Sequence, residues 1–515
     1  MSAPALGLVP DAPSSLTGGA QRGPPLLADL FGGWEVAVVV VMALLYGAGA
    51  LIDPAFFGNT KALLSVLRDA SRFGVVAVGM TFVVVNRDLD LSVGSTLGLV
   101  AVVFSLIYSP TAADAPAWLA VPAAAAVGIG IGVVNGLLVT TLKVPSFIAT
   151  LAMLFIGRGL VLGLTGGQEI SYPGKAAADG FFFIGDTGPG GINNQIWLLL
   201  GFAAAGALVL GRTRWGLQTQ ATGGNPMAAG YAGIATDRVR MRGFVVSALC
   251  ATVAGLMNVA QDRTVTSQYG FGAELIVIAA VIVGGASIAG GRGRVAGSCL
   301  GAILVVLIDR VLREGFPTVR IINVGGVDMT VNTMAQLPPG AVPAFLGVVL
   351  LAAVLIEPWL IRSGALARAY ARLRGKPPPP GTAGGIATVG AQTRGTALSD
   401  VPGSWLGRVL ARREIAAVMI VLVLWGTGAW LRPDYWASLD NSFNLMLAFT
   451  EVALLATGMT FVIGTGDIDL SVGAVLAMSG ATAAFLMKQE SAPPLLAAAV
   501  AFAAGTLAGV INGLL

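Results

Sequence analysis

Residues 79–95 read GMTFVVVNRDLDLSVGS, and residues 458–474 read GMTFVIGTGDIDLSVGA. Each places two carboxylates between apolar runs, Asp88 and Asp90 in the first and Asp467 and Asp469 in the second. The chain around them is a poor host for charge: 56% of its 515 residues are hydrophobic and only 11% are charged. A water-soluble domain carries about a quarter charged residues, and the mean hydropathy here is +0.83. The solvent for most of this chain is therefore lipid.

Outward from the motif, runs such as WEVAVVVVMALLYGAGALI (34–52) and AVPAFLGVVLLAAVLI (341–356) approach the ~20 apolar residues that cross a bilayer as helix. The 71 glycines fit helices that approach one another closely in a membrane. The pattern predicts an all-α polytopic membrane protein. Ten spans are expected between residues 33 and 361, centred near 43, 75, 99, 128, 155, 203, 251, 282, 303 and 350. With ten spans, the basic residues of 211–242, Lys143, Arg292, Arg294 and the arginines after 361 all fall on one side. By the positive-inside rule that side is cytoplasmic, and so are both ends of the unit. Residues 1–32 read as a disordered cytoplasmic tail without the charged start and apolar core of a secretory signal. Residues 362–412, rich in Pro, Gly and small polar residues, read as a cytoplasmic linker.

Beyond the linker the chain starts over. A shift of 379 residues places Glu35 on Glu414, Pro54 on Pro433 and Gly79 on Gly458, and 11 of the 17 motif positions are identical. GVVNGLL (132–138) returns as GVINGLL (509–515), with the offset reduced to 377. The order of features is preserved, so the repeat is direct. Residues 413–515 hold about four spans of this second unit, and the chain is expected to be the beginning of a longer fused protein.

Several chemistries drop out. The chain has no histidine, the commonest general base and metal ligand. Cys250 and Cys299 sit in apolar runs as packing residues. No phosphate-binding G-x-x-x-x-G-K-[ST] occurs, because Lys175 is followed by Ala176 and Lys376 by Pro377. The net charge of +4 is too small and dispersed for nucleic acid. No metal or cofactor is called for, and the chain does not read as an enzyme.

The carboxylates then need a physical reason. One at the centre of a lipid-exposed helix costs about 2.5–3.5 kcal/mol on insertion scales. Asp88 or Asp90 is expected to cap the helix that Leu91 and Ser92 begin, meeting free N–H groups and the favourable end of the helix dipole. Asp467, Asp469 and Ser471 repeat the arrangement. Arg87 is placed to neutralise an aspartate, but the second copy has Gly466 there, so that pair is not essential to the motif. A capped helix break and a polar lining for a solute path both satisfy these residues.

Two further stretches stand out. In IAAVIVGGASIAGGRGR (278–294), Gly284-Gly285 and Gly290-Gly291 predict a short or re-entrant span, with Glu274 near its N-terminus. Close packing through small residues explains the same glycines. In ATGGNPMAAGYAGI (221–234), Asn225 is placed to cap a short helix that opens at Pro226. Arginines flank it on both sides, as expected for a helix resting on anionic headgroups or for one docking in a protein groove. Its small residues favour the groove.

The motif, together with VPSFIATLAMLFIGRGLVLGLTGG (144–167), ATGGNPMAAGYAGI and GAELIVIAAVIVGGASIAGGRGRVAGS (272–298), resembles the permease subunits of ATP-binding-cassette importers for monosaccharides, of the ribose, xylose and galactose type. The resemblance covers nearly all of 33–360. It departs at NRD in the first motif, where the family usually has glycines, while TGD in the second is closer. It implies a non-catalytic transport subunit in the cytoplasmic membrane, partnered by a separate ATPase, an extracytoplasmic sugar-binding protein and a second permease unit. Gly224, Asn225, Pro226, Ala228, Ala229 and Gly233 are implied to couple to the ATPase. Asp88, Asp90, Ser92, Asp467, Asp469, Ser471, Glu274, Gly284 and Gly285 are expected at helix breaks or along the solute path. The outer connection with Phe181, Phe182 and Phe183 is expected to anchor at the membrane interface. Two other classes fit the sequence: a branched-chain amino-acid importer of similar architecture, and an ion-coupled carrier using the aspartates as ion sites.

Overall fold

Apolar chain in lipid satisfies its backbone only by folding into helices or closed barrels, and the computed structural model is all-α and polytopic. It describes residues 33–172, 180–314, 316–324, 327–335, 413–465, 467–489 and 491–514, with isolated positions between 344 and 351. The chain divides into two compact units, Met1–Ala383 and Gly384–Leu515. The first unit runs α1 (Gly33–Ile52), α2 (Pro54–Phe57), α3 (Thr60–Val85), α4 (Val93–Tyr108), α5 (Ala117–Thr140), α6 (Ser146–Thr165) and β1 (Ile170–Ser171). It continues with α7 (Asn194–Arg212), α8 (Arg214–Gly224), α9 (Pro226–Tyr231), α10 (Thr236–Asp262), β2 (Thr264–Val265), α11 (Ala273–Val283) and α12 (Val295–Glu314), then β3 (Phe316–Val324) and β4 (Val327–Ala335). The second unit holds α13 (Arg413–Leu431), α14 (Pro433–Trp436), α15 (Leu439–Gly464), α16 (Val472–Gln489) and α17 (Pro494–Leu514).

The first nine expected span centres fall within α1, α3, α4, α5, α6, α7, α10, α11 and α12. The tenth, near 350, the N-terminal tail and the linker lie outside the described residues. Among the described residues, eight helices are long and apolar enough to cross a membrane: α1, α5, α6, α7, α10, α12, α15 and α17. Two of the expected spans are shorter. α4 has 16 residues and α11 only 11; at about 1.5 Å per residue, the latter covers roughly half of a ~30 Å hydrocarbon layer. The short antiparallel pairs β1–β2 and β3–β4 were not expected from the sequence.

Helix α10 is the spine. It runs antiparallel to α3 and α5, and glycines set both approaches. At Gly79 on α3, an added Cβ would lie 2.8 Å from the Ser247 backbone and 2.9 Å from Cys250. At Gly132 on α5 it would lie 2.7 Å from Ala248 and 3.0 Å from Val245. The core therefore forms where α3, α4, α10, α11 and α12 converge, around Val76, Met80, Val84, Leu97, Phe244, Ala251 and Val281. The outer helices show large apolar chains instead, including Leu44, Trp118, Leu137, Phe155 and Leu208. Such a surface fails in water and suits lipid.

At the end of the bundle away from the motif, Asp69 ties α3 to α12 through Arg310 (2.7 Å). Arg72 donates to Asn258 on α10 (2.8 Å). The phenylalanines of 181–183 are not all anchors. Phe182 is buried against Tyr108, and Phe181 stacks on Phe104 with ring centres 4.6 Å apart. Phe183 alone of the three is exposed, because α4 offers the other two an apolar partner.

The way α3 stops explains one difference between the repeats. Asn86 is its C-cap, and Arg87 follows with φ of 72°. Arg87 N donates to Val84 O (2.9 Å) and Asp88 N to Val83 O (3.1 Å), the paired bonds of a Schellman turn, whose left-handed residue is usually glycine. In the second unit Asp467 N donates to Val462 O (3.2 Å) at the corresponding place, and the sequence has glycine at 466.

Two stability predictions follow from these contacts. Arg87→Gly removes the left-handed strain and is expected to raise the thermal midpoint in detergent, whereas Arg87→Val is expected to lower it; the strain is about 1–2 kcal/mol. Gly132→Leu is expected to cost about 1–3 kcal/mol by forcing α5 off α10. Gly130→Leu, where nothing lies within 4 Å, leaves the midpoint unchanged.

Candidate functional site

Between Val85 and Val93 the backbone leaves helix inside a packed bundle, and every polar group it frees needs a partner. Three neighbours supply them. Val85 O accepts from Gly291 N (2.9 Å). Leu91 N donates to Thr150 Oγ1 on α6 (3.1 Å), and the same hydroxyl donates to Leu89 O (3.3 Å). The third neighbour, α10, serves the side chains.

The two aspartates take different solutions. Asp88, 4% exposed, is gripped by Arg240 in the second turn of α10: Nε donates to Oδ2 (2.8 Å) and a terminal nitrogen to Oδ1 (2.6 Å). This fork-to-fork geometry is the strongest pairing a carboxylate finds. Asp90, 1% exposed, is held by neutral donors. Its Oδ1 accepts from Ser92 N (3.0 Å) and Ser92 Oγ (2.6 Å), and its Oδ2 from Ser247 Oγ (2.8 Å), two turns further along α10. Asn135 on α5 donates to Ser92 Oγ (2.8 Å) and closes the cluster. Asp90 thus makes the turn that leads into α4, while Asp88 caps no helix. Its partner is the distant Arg240, not the adjacent Arg87.

In the second unit the local part recurs. Asp469 Oδ1 accepts from Ser471 N (2.8 Å) and Ser471 Oγ (2.6 Å), and Asn512 donates to Ser471 Oγ (2.6 Å). Asp467 accepts from Thr465 Oγ1 (3.2 Å).

The segment before α10 packs on the same break. α8 ends against it: a Cβ at Gly223 would overlap Val85 O, and Gly224 lies against Gly291. Trp215 stacks on Phe82 at 4.9 Å. Asn225 then caps α9, its Oδ1 accepting from Ala228 N (3.0 Å), with Pro226 at the first helical position. Ala229 is buried against the bundle, and Gly233, with φ of 81°, turns the chain into α10. Ala228 points outward, and Met227 and Tyr231 are 71% and 88% exposed. A six-residue helix is thereby presented with its apolar side chains free.

Gly284 and Gly285 end α11 at this same end of the bundle. Gly284 is its C-cap, Gly285 has φ of 91°, and Trp34 Nε1 donates to Val283 O (2.8 Å). Gly284 also faces Gly297 and Gly301 faces Ala280 across the α11–α12 hairpin, so these glycines break the helix and permit close packing at once. Glu274 is not with this group. It lies in the first turn of α11, against Gly94 of α4.

Sequence reasoning did not single out Arg240, Ser247, Asn135, Asn512 or Arg158. An arginine inside the apolar run LFIGRGLVL was a readable signal for Arg158, because ionisable residues at such positions are costly. The repeated N in GVVNGLL and GVINGLL was one for the asparagines.

Comparison with known proteins gives the site its setting. Residues 62–356 and 441–515 match the profile of the family described as branched-chain amino acid transport system, permease component. The ribose import permease protein of Escherichia coli K12 is 34% identical over 274 residues, 53% of this chain and 83% of that protein. The corresponding protein of Haemophilus influenzae is 33% identical over 277 residues, 54% of this chain and 83% of its own length. The autoinducer 2 import system permease protein of Yersinia enterocolitica is 36% identical over 280 residues, 54% of this chain and 74% of that one. No solved structure matches. With its polytopic helical fold and a profile match that covers both repeats, this chain is a multi-pass membrane transport protein and belongs to the permease-component family.

Proposed function

We propose that this chain is the permease of an ATP-driven importer that brings a monosaccharide across the cytoplasmic membrane, with its N-terminal tail and linker on the cytoplasmic side. The observation that carries the reading is the linkage of α9 to the helix break. α9 presents exposed apolar side chains and leads within five residues into α10. α10 in turn holds both carboxylates of the break, Asp88 through Arg240 and Asp90 through Ser247. A partner that seizes α9 and moves it therefore pulls on the break directly.

In this reading an ATP-hydrolysing subunit docks on Gly224–Ile234, with Gly224, Asn225, Pro226, Ala228, Ala229 and Gly233 shaping the contact. A binding protein delivers solute at the opposite end, near the β1–β2 pair. A second permease unit, fused or separate, completes the path. Asp88, Asp90 and Ser92, with Asp467, Asp469 and Ser471 in the repeat, govern the breaks rather than carry ions. Gly284 and Gly285 let α11 end where the coupling segment packs. Access alternates because the two partners stabilise different states of one equilibrium. The sugar class rests on the ribose permeases among the relatives. Carriage of a branched-chain amino acid is the second reading, favoured by the description of the matching family.

The test is uptake into proteoliposomes that hold the assembled importer and its binding protein. Labelled ribose is expected to enter with ATP and without an ion gradient; leucine uptake in its place selects the second reading. Ala228→Arg is expected to cut solute-stimulated hydrolysis at least tenfold, with thermal stability unchanged; undiminished stimulation overturns the docking site.

The Asp88–Arg240 grip makes a separate prediction. Removal of one partner strands a buried charge, which costs roughly 3–5 kcal/mol when burial is complete. With 27% of the Arg240 side chain exposed, Asp88→Asn is expected at or below the lower end of that range. A double-mutant cycle with Arg240→Ala in detergent is expected to give coupling above about 1 kcal/mol.

A further inference from the structure

The permease reading leaves open where a solute is touched inside the unit, and one cluster stands apart from the helix break. After β2, residues 266–272 fold back into the bundle through two turns, Tyr269 N to Thr266 O (3.2 Å) and Phe271 N to Gln268 O (3.0 Å). Gly270 and Gly272 take φ of 70° and 74°. This inward dip sets Tyr269 O against Gly98 and Gly270 O against Gly94, one turn apart on α4, where any Cβ would collide. α11 then starts within the bundle, with Glu274 in its first turn.

Arg158 of α6 reaches the same face. One terminal nitrogen donates to Tyr269 O (2.7 Å), and the guanidinium sits 5.3 Å from the centre of the Phe271 ring. Its other terminal nitrogen is buried without a partner, and so is Glu274 Oε2. The two charges flank one pair of glycines, yet they form no ion pair within 4.0 Å among the described residues. Phe271 is 75% exposed. Buried polar atoms in proteins are nearly always satisfied, so each exception asks for a physical reason.

The geometry points to a contact site for a polyhydroxylated solute at Arg158, Glu274 and Phe271, an inference that rests on the importer reading above. A hydroxyl donates to the free carboxylate oxygen and accepts from the free guanidinium nitrogen in one step, and neither charge has to be neutralised. The exposed ring offers a flat apolar face to the C–H side of a sugar. An amino-acid zwitterion fits less well. It asks the guanidinium for a two-pronged grip on its carboxylate, and one prong is already committed to Tyr269 O.

The experiment compares ribose and 2-deoxyribose uptake by the full chain in its assembled importer, for the parent, Glu274→Gln and Arg158→Lys. Co-purification with the ATP-hydrolysing subunit checks that each variant has folded and assembled. Ribose uptake is expected to fall at least tenfold in both variants, and preference for ribose over the deoxy sugar to shrink at least fivefold. A fall that leaves the preference intact overturns the site in favour of a purely structural role for the pair. Unchanged uptake in both variants overturns it as well. Leucine uptake by the parent, with no sugar entering, instead overturns the sugar reading on which the site rests.

Discussion

One charge pair, Asp88 with Arg240, organises the end of the first unit that carries the helix break. A carboxylate in an apolar bundle is tolerable only with a committed partner, and the partner here comes from a helix 152 positions further along the chain. That demand fixes the depth of α10 against α3. Once α10 is there, Ser247 meets Asp90 and Gly79 meets the Ser247 backbone. Gly132 on the far side then admits Ala248. Charge sets the register and glycine the distance. Because lipid supplies no hydrophobic drive between helices, close packing and polar contacts of this kind are what remain to hold them.

The break is well supported in its backbone and its carboxylates, but its two asparagines are not. Its carbonyls and amides find Gly291, Thr150 and the Schellman bonds. Yet both polar atoms of Asn86 are buried without a partner, as is Asn135 Oδ1. The two asparagines therefore have bonds to gain from a rearrangement, while the carboxylates between them are already held. Natural proteins concentrate such departures from local consistency at functional sites.

Much of this was legible in sequence, and the boundary is physical. Composition fixed the solvent, and the apolar runs located nine helices, because those signals are local or additive. A carboxylate at the start of α4 was expected from the sequence, and Asp90 is the one that sits there, accepting from Ser92. The cap at Asn225 was equally local. The Asp88–Arg240 pair was not legible: five arginines lie in 212–242, and nothing local says which one turns inward. The inward dip of 266–272 was also missed, since no periodicity marks it, whereas the brevity of α11 was legible in its terminal glycines. The β3–β4 hairpin went unread although apolar and polar residues alternate over 327–332, a period-2 signal outweighed by the apolar runs on either side.

The duplication separates what the motif does alone from what the fold adds. In both units the aspartate two residues before the serine accepts from that serine's N–H and hydroxyl, and an asparagine on the second helix after the motif donates to the serine. Among the described residues of the second unit, no arginine grips Asp467 and no second serine grips Asp469; Asp467 accepts instead from its chain neighbour Thr465. In both units the turn is therefore built by contacts from within the motif and from the second helix after it. The ion pair is a tertiary addition, and it engages the other aspartate of the motif. Two carboxylates separated by one residue thus have separable duties: Asp90 shapes the entry to α4, and Asp88 attaches that entry to α10, the helix that follows α9. A single carboxylate would have to do both, and any motion of α10 would then unmake the helix start it is meant to move.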